Sequence, residues 1–199
     1  MSEDPRLTDV GFGPFDPWPS ARVHVEWGEV ATREAAYRNQ YIAVVDVLSF
    51  STTVSMAVDR GAEVLALSGA DIARLGGRAA VAARFGAEVV AKDRRSTTAR
   101  FTLSPASLSR IEAGDRLILT SLNGALAVSS AAGSAGLVVA CLRNRRAAAD
   151  FLLAALDEAP AVGVTIVACG EHWSSVAEEA GIRPSLEDWI GAGALAARL

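Results

Sequence analysis

Tyr41-Ile42-Ala43-Val44-Val45-Asp46-Val47-Leu48-Ser49-Phe50-Ser51-Thr52-Thr53 is the stretch whose reading decides the fold. Its unbroken apolar run predicts a buried β-strand that ends in an acid, and the hydroxyl-rich residues after it predict the start of a helix. A carboxylate in that position stands at the C-terminal rim of a sheet. The helix that follows offers unpaired backbone N–H groups and the positive end of its dipole to an anion. Together they suit a metal ion bound with a phosphate.

Outward from this stretch, short Val/Ile/Leu runs alternate with Ala-rich helical segments. The pattern predicts strands over 22–26, 41–47, 62–67, 88–91, 116–121, 137–140 and 162–168. It predicts helices over 51–60, 70–85, 105–112, 123–132, 145–157 and 186–199. Strands alternating with helices make βαβ units, so the expected fold class is a layered α/β domain, a mainly parallel sheet flanked by helices. The expected organisation is an N-terminal tail over 1–21 and a single domain over 22–199.

Composition narrows the function classes. A chain of 199 residues is long enough for one well-filled core. Hydrophobic residues make up 51% of it but aromatic ones only 6%, and the formal charge is −4. A basic groove with stacking platforms is missing, which argues against a nucleic-acid partner. No stretch reaches the roughly 20 apolar residues of a membrane span, and the first twenty residues lack the apolar core of a secretory signal. A cytoplasmic protein without a membrane partner is expected, with Cys141 and Cys169 as free thiols.

In parallel sheets ligands sit beyond the carboxyl ends of the strands. Four strand-to-helix junctions there are polar: Asp46 to Thr53, Thr120 to Gly124, Cys141 to Asn144, and Cys169 to Glu171. A further polar loop from Lys92 to Ser104 carries Asp93, Arg94, Arg95 and Arg100. Helix capping accounts for some of these residues without any function. Their coincidence on one rim is the stronger sign.

Several known chemistries fail on motif grounds. No G-x-G-x-x-G follows a strand, and the chain's single lysine, Lys92, follows no Gly-rich loop, which leaves dinucleotide and Walker-type sites unsupported. Asp46 lacks the second Asp two residues on that a haloacid-dehalogenase-type phosphatase requires. Neither cysteine has an Arg after five intervening residues, as a cysteine phosphatase would. Cys169-Gly170-Glu171-His172 juxtaposes a thiol and an imidazole, but a buried inert cysteine is the simpler expectation. His24, inside a predicted strand, is read as packed or surface-facing.

The order of segments resembles the 2-phosphosulfolactate phosphatase (ComB) family. The matching pieces are Val45-Asp46-Val47-Leu48 with Ser51-Thr52-Thr53, Lys92-Asp93-Arg94, Phe101 to Pro105, Leu119-Thr120-Ser121-Leu122-Asn123-Gly124, Asn144, and Ser185-Leu186-Glu187-Asp188 with Gly191-Ala192-Gly193. The similarity runs from about residue 22 onward. The chain departs from the family pattern at Ser49, where the family has Arg, at Asp93, where it has Glu, and at Ala125, where it has Thr.

The resemblance implies a magnesium-dependent phosphatase acting on a small anionic phosphoester. Phosphoester hydrolysis needs stabilisation of several negative charges, which Mg²⁺ on hard oxygen ligands provides. The expected catalytic residues are Asp46, Asp93 and Glu187, and the expected metal ligands are Asp46, Asp93 and Asp188. Ser51, Thr52, Arg94, Asn123, Gly124 and Asn144 are expected to hold the substrate, with Arg143 and Arg183 able to replace the missing motif Arg. A homodimer is implied as well. The competing expectation, prompted by Ser49 and Ala125, is a family member that binds a phosphorylated or sulfonated metabolite without turning it over.

Overall fold

The computed structural model describes residues 22–93, 96, 98–159, 162–172 and 181–199. The anticipated N-terminal tail and Arg94 lie outside them. The first element is β1 (Val23–Trp27), followed by α1 (Gly28–Tyr37), β2 (Tyr41–Val45) and α2 (Phe50–Asp59). Next come β3 (Glu63–Ala66), α3 (Gly69–Arg74), α4 (Arg78–Phe85) and β4 (Glu88–Val89). A 3-10 helix (Pro105–Arg110) leads to β5 (Arg116–Leu119), α5 (Gly124–Ser130), β6 (Gly136–Ala140) and α6 (Arg145–Glu158). The described chain ends with β7 (Val164–Ala168), β8 (Glu171–His172), β9 (Ile182–Arg183) and α7 (Leu186–Ala196).

The parallel strands divide into two sheets. One has the order β1-β7-β2-β6 and the other β3-β5-β4, and every pairing in both is parallel. β2 is central in the first and shows why its sequence is apolar throughout. Ala43 and Val45 pack with Leu152, Leu156, Ala192 and Leu195 of α6 and α7. Ile42 and Val44 pack on the other face with Ala35, Ala36, Ala127 and Ala131, from and beside α1 and α5. Both faces are covered, so neither parity of the strand can be polar. α2 joins the two sheets, because Phe50 and Ala57 share a core with Val90, Phe101, Leu117 and Leu119, with Val139 of β6 packed against it.

The structure departs from the sequence expectations in a few places. β2 stops at Val45 instead of continuing to Val47, because the next two N–H groups turn to side chains: Asp46 N–H donates to Ser51 Oγ at 2.9 Å and Val47 N–H to Asp188 Oδ1 at 2.8 Å. The single helix expected over 70–85 is two, broken at Gly76 and Gly77, whose φ values of 91° and 94° cannot continue a helix. α1 is absent from the sequence expectations. Its N-cap, Trp27, makes no capping side-chain bond, and its buried positions are Gly28, Thr32, Ala35 and Ala36, which leave no large apolar stripe. The antiparallel pair β8-β9 is likewise unanticipated, being two residues per strand. Among the described residues no helix is long and apolar enough to cross a membrane.

Candidate active site

In register, Val45 of β2 lies opposite Ala140 of β6 and Ala168 of β7, so the three strands end level on one rim. Asp46 is the next residue, 8% exposed. Its Oδ2 accepts from Gly124 N–H at 3.0 Å and from Ser121 Oγ–H at 3.2 Å, while Oδ1 takes only a 3.4 Å approach from Phe50 N–H. Oδ2 is therefore spent on the start of α5, and Oδ1 keeps acceptor capacity.

Gly124 is required by space. A Cβ there would lie 2.3 Å from Phe50 Cδ1 and 2.7 Å from Asp46 Oδ2. Burial foremost, then the charge of Asp188, pushes the Asp46 carboxyl up to about 6, against the opposing bonds from Gly124, Ser121 and Phe50. A carboxyl held there is poised to exchange a proton near neutrality.

Asp46 opens onto a cleft of about 200 Å³, also lined by Leu48, Ser49, Lys92, Thr120, Asn123 and Glu171. Two carboxylates, Asp46 and Glu171, therefore border one small space. Asn123 is tied to the second of them, its Nδ2 donating to Glu171 Oε2 at 3.0 Å. Asn123 Oδ1 is buried and finds no donor, and the buried Thr120 hydroxyl finds no partner. Orphaned polar atoms beside a cleft are costly unless something fills them.

The anticipated residues sort by geometry into those at the cleft and those that hold its walls. Asp46 and Asn123 line it. Gly124 sits behind Asp46, its N–H already committed. Ser51 is fully buried, accepting from Asp46 N–H and donating to Val44 O, and Thr52 Oγ donates to Val47 O at 2.8 Å. Both hydroxyls thus pin the strand-to-helix turn. Asn144 braces its own junction, accepting from Cys141 N–H at 2.8 Å and donating to Val139 O at 2.9 Å.

The acids expected to converge on a metal do not all share this space. Asp188 is buried, but Oδ1 accepts from Val47 N–H, and Oδ2 from Gly170 N–H at 2.9 Å and Ser185 Oγ–H at 2.7 Å. Burial raises its carboxyl and these bonds oppose the rise. Asp93 is exposed, Glu187 is half-buried on the first turn of α7, and neither lines the cleft. Among the described residues no three His, Cys, Asp or Glu side chains converge. Arg143 is engaged with Ser55 Oγ and Asp59, and Arg183 is exposed on β9.

Cys141 and Cys169 are free and buried, as expected. Cys169 lies in the core under α1, and burial, then the charges of Asp46 and Asp188, push its thiol up. His172 is exposed. A protonated, enclosed thiol makes a poor nucleophile, so the pairing with His172 has no support.

Sequence reasoning passed over Glu171 and Lys92 as site residues. Glu171 was visible as a polar residue after β7, directly behind Cys169 and Gly170, and its weight as an acid on the common rim was the available signal. Lys92 was visible as the chain's one lysine and as the first residue of the polar loop and of the segment Lys92-Asp93-Arg94, but was given no role of its own.

A parallel α/β protein with a buried acid, a second carboxylate and unspent polar atoms beyond its strand ends belongs to the class that binds small polar ligands at that rim. The family model described as 2-phosphosulpholactate phosphatase matches residues 29–199, and the chain belongs to that family. It is 34% identical over 167 residues to a protein of Parasynechococcus marenigrum (strain WH8102) named "Probable 2-phosphosulfolactate phosphatase", a match covering 78% of this chain and 60% of that protein. The chain thus spans about 60% of the length of this curated relative.

Proposed function

We propose that the cleft hydrolyses a small anionic phosphate monoester, similar to 2-phosphosulfolactate, to its alcohol and phosphate. The observation that carries this is Asp46, a buried acid raised to about 6 with one oxygen uncommitted, at the mouth of the central strand. In this reading Asp46 Oδ1 takes the proton of the attacking water. The water oxygen bonds phosphorus as the bond from phosphorus to the ester oxygen breaks, and the departing oxygen takes up the proton returned from Asp46 to leave as the alcohol. Family membership and the relative's name support the same reaction class.

The residues present fit Mg²⁺ in a form different from the three-acid set of Asp46, Asp93 and Asp188. Mg²⁺ takes one or two carboxylates and completes its shell with water and substrate phosphate. Glu171 would supply a direct carboxylate oxygen and the orphaned Asn123 Oδ1, already tethered to Glu171, a second hard oxygen, while Asp46 would hold the ion through its hydration water and so keep Oδ1 free for the proton. Bound there, the ion supplies positive charge to the phosphoryl oxygens. Asp188 then acts by positioning, since it fixes the Val47 and Gly170 amides, each directly before a residue that lines the cleft, Leu48 and Glu171. A homodimer is part of the proposal, to be read by light scattering.

Purified protein with Mg²⁺ is expected to release phosphate from 2-phosphosulfolactate or an aryl phosphate, and Asp46→Asn is expected to lose at least about a hundredfold in kcat. One observation favours a second reading, binding without turnover. Ser49 stands where the family has Arg, and its hydroxyl is spent on Leu103 O at 2.8 Å. Phosphate binding with no hydrolysis under any divalent metal would establish that reading instead.

A further inference from the structure

We propose that Lys92 and Thr120 form the anion seat of this cleft, gripping an oxyanion of the substrate. The inference rests on the phosphoester reading above and assigns its anion-binding groups. The cleft is bordered by two carboxylates, and among the described residues Lys92 is the one cation lining it. Two carboxylates and one Mg²⁺ leave the cleft without net positive charge, so a phosphate dianion needs the further cation that Lys92 supplies at short range.

Lys92 is placed for this by its backbone. β4 continues into Ala91, whose N–H donates to Phe101 O at 3.0 Å and whose carbonyl accepts from Leu103 N–H at 3.0 Å. The residue after that clamp is therefore held at the cleft's lip, beside Leu103, with a long flexible stem. Lys92 makes no ion pair with the described residues, whereas the arginines Arg74, Arg100, Arg116 and Arg143 are each paired with an acid.

Thr120 supplies the second, independent observation. It is 3% exposed at the end of β5, lines the same cleft, and its hydroxyl has no partner. A ligand oxygen gives that group the acceptor that the fold withholds.

The chain has one lysine, which makes the test direct. Full-length protein would be acetylated with an N-hydroxysuccinimide ester, with and without inorganic phosphate, and modification at Lys92 read by mass spectrometry. Phosphate is expected to slow Lys92 acetylation several-fold while leaving the N-terminal amine unaffected. In calorimetric titration with inorganic phosphate, Lys92→Ala is expected to weaken binding about tenfold and Lys92→Arg to restore most of it. In turnover, Lys92→Ala is expected to raise KM more than it lowers kcat.

Thr120→Val keeps the shape and deletes the orphan hydroxyl. It is expected to weaken phosphate severalfold while leaving the melting temperature unchanged or higher, whereas a structural role for the hydroxyl lowers it. Equal phosphate affinity in wild type and Lys92→Ala, absence of protection, or no phosphate binding by the wild type overturns the seat. Lys92-dependent phosphate binding without ester hydrolysis keeps the seat and removes the phosphatase reading. Hydrolysis with an unchanged KM in Lys92→Ala does the reverse.

Discussion

Asp46 carries opposing demands. Three donors favour its charged form, yet burial and the neighbouring Asp188 outweigh them and leave the carboxyl near 6 rather than 3.8. Because the folded value is above the unfolded one, the native state holds the proton more tightly. The stability associated with that proton is fully present below about 3.8 and is lost as pH rises through about 6. The displacement corresponds to on the order of 3 kcal/mol. Asp46→Asn, neutral at every pH, is therefore expected to gain stability over wild type progressively between pH 4 and 6.5, reaching a plateau above about pH 7. Urea unfolding across that range in the presence of EDTA measures it, and a pH-independent difference would refute the argument.

Gly124 belongs to the same scale. Its Cβ has no room between Phe50 and Asp46. Gly124→Ala is expected to cost about 1–3 kcal/mol by overpacking and to reduce turnover by moving the N–H that holds Asp46 Oδ2. Thermal denaturation and phosphate release read the two effects separately.

At the scale of elements, Asp188 ties the first turn of α7 to the turns after β2 and β7. One carboxylate satisfies Val47 N–H, Gly170 N–H and Ser185 Oγ–H. Asp188→Ala leaves two buried amide donors without an acceptor, and a loss of about 2–4 kcal/mol is expected. Hydrogen exchange at Val47 and Gly170 should accelerate before exchange in β5, which lies in the other sheet. Leu186→Ala, on the same helix turn but 71% exposed, should change stability by less than about 0.5 kcal/mol. Equal losses from the two substitutions would show that the carboxylate is not what anchors α7.

For the whole molecule, a metal that binds the native state alone must raise its stability by mass action. At a hundredfold excess over Kd the gain is about 2.7 kcal/mol. Mg²⁺ is expected to raise the melting temperature of wild type and to leave Asp46→Asn and Glu171→Gln nearly unmoved, with EDTA reversing the gain. A shift that survives Glu171→Gln but disappears with Asp93→Asn would return the metal to the three-acid arrangement.

How much of this was legible in the sequence depended on how local the cause was. β2, β5 and β7 show as apolar runs because burial on both faces leaves a continuous mark. Asp46 was marked as well, since an acid directly after such a run falls at a strand end wherever the strand is placed. α1 was not visible, because small residues fill its buried face and the packing partner, not the pattern, makes it a helix. The division of parallel strands into two sheets was equally hidden, since strand order depends on pairings between residues far apart in the chain.

The sequence by itself determined a parallel α/β domain, the family, and a polar rim with Asp46 at its centre. Only the tertiary structure decided which rim residues face one another. Asp188, close in role to Asp46 by motif, proved to have its oxygens consumed by three donors from separate segments, while Glu171, Lys92 and Thr120 came to the cleft from the ends of β7, β4 and β5. The physical reason is that burial, hydrogen-bond saturation and a shared charge field are properties of neighbours in space. Such neighbours are joined here by chain crossovers that leave no periodic trace in the sequence.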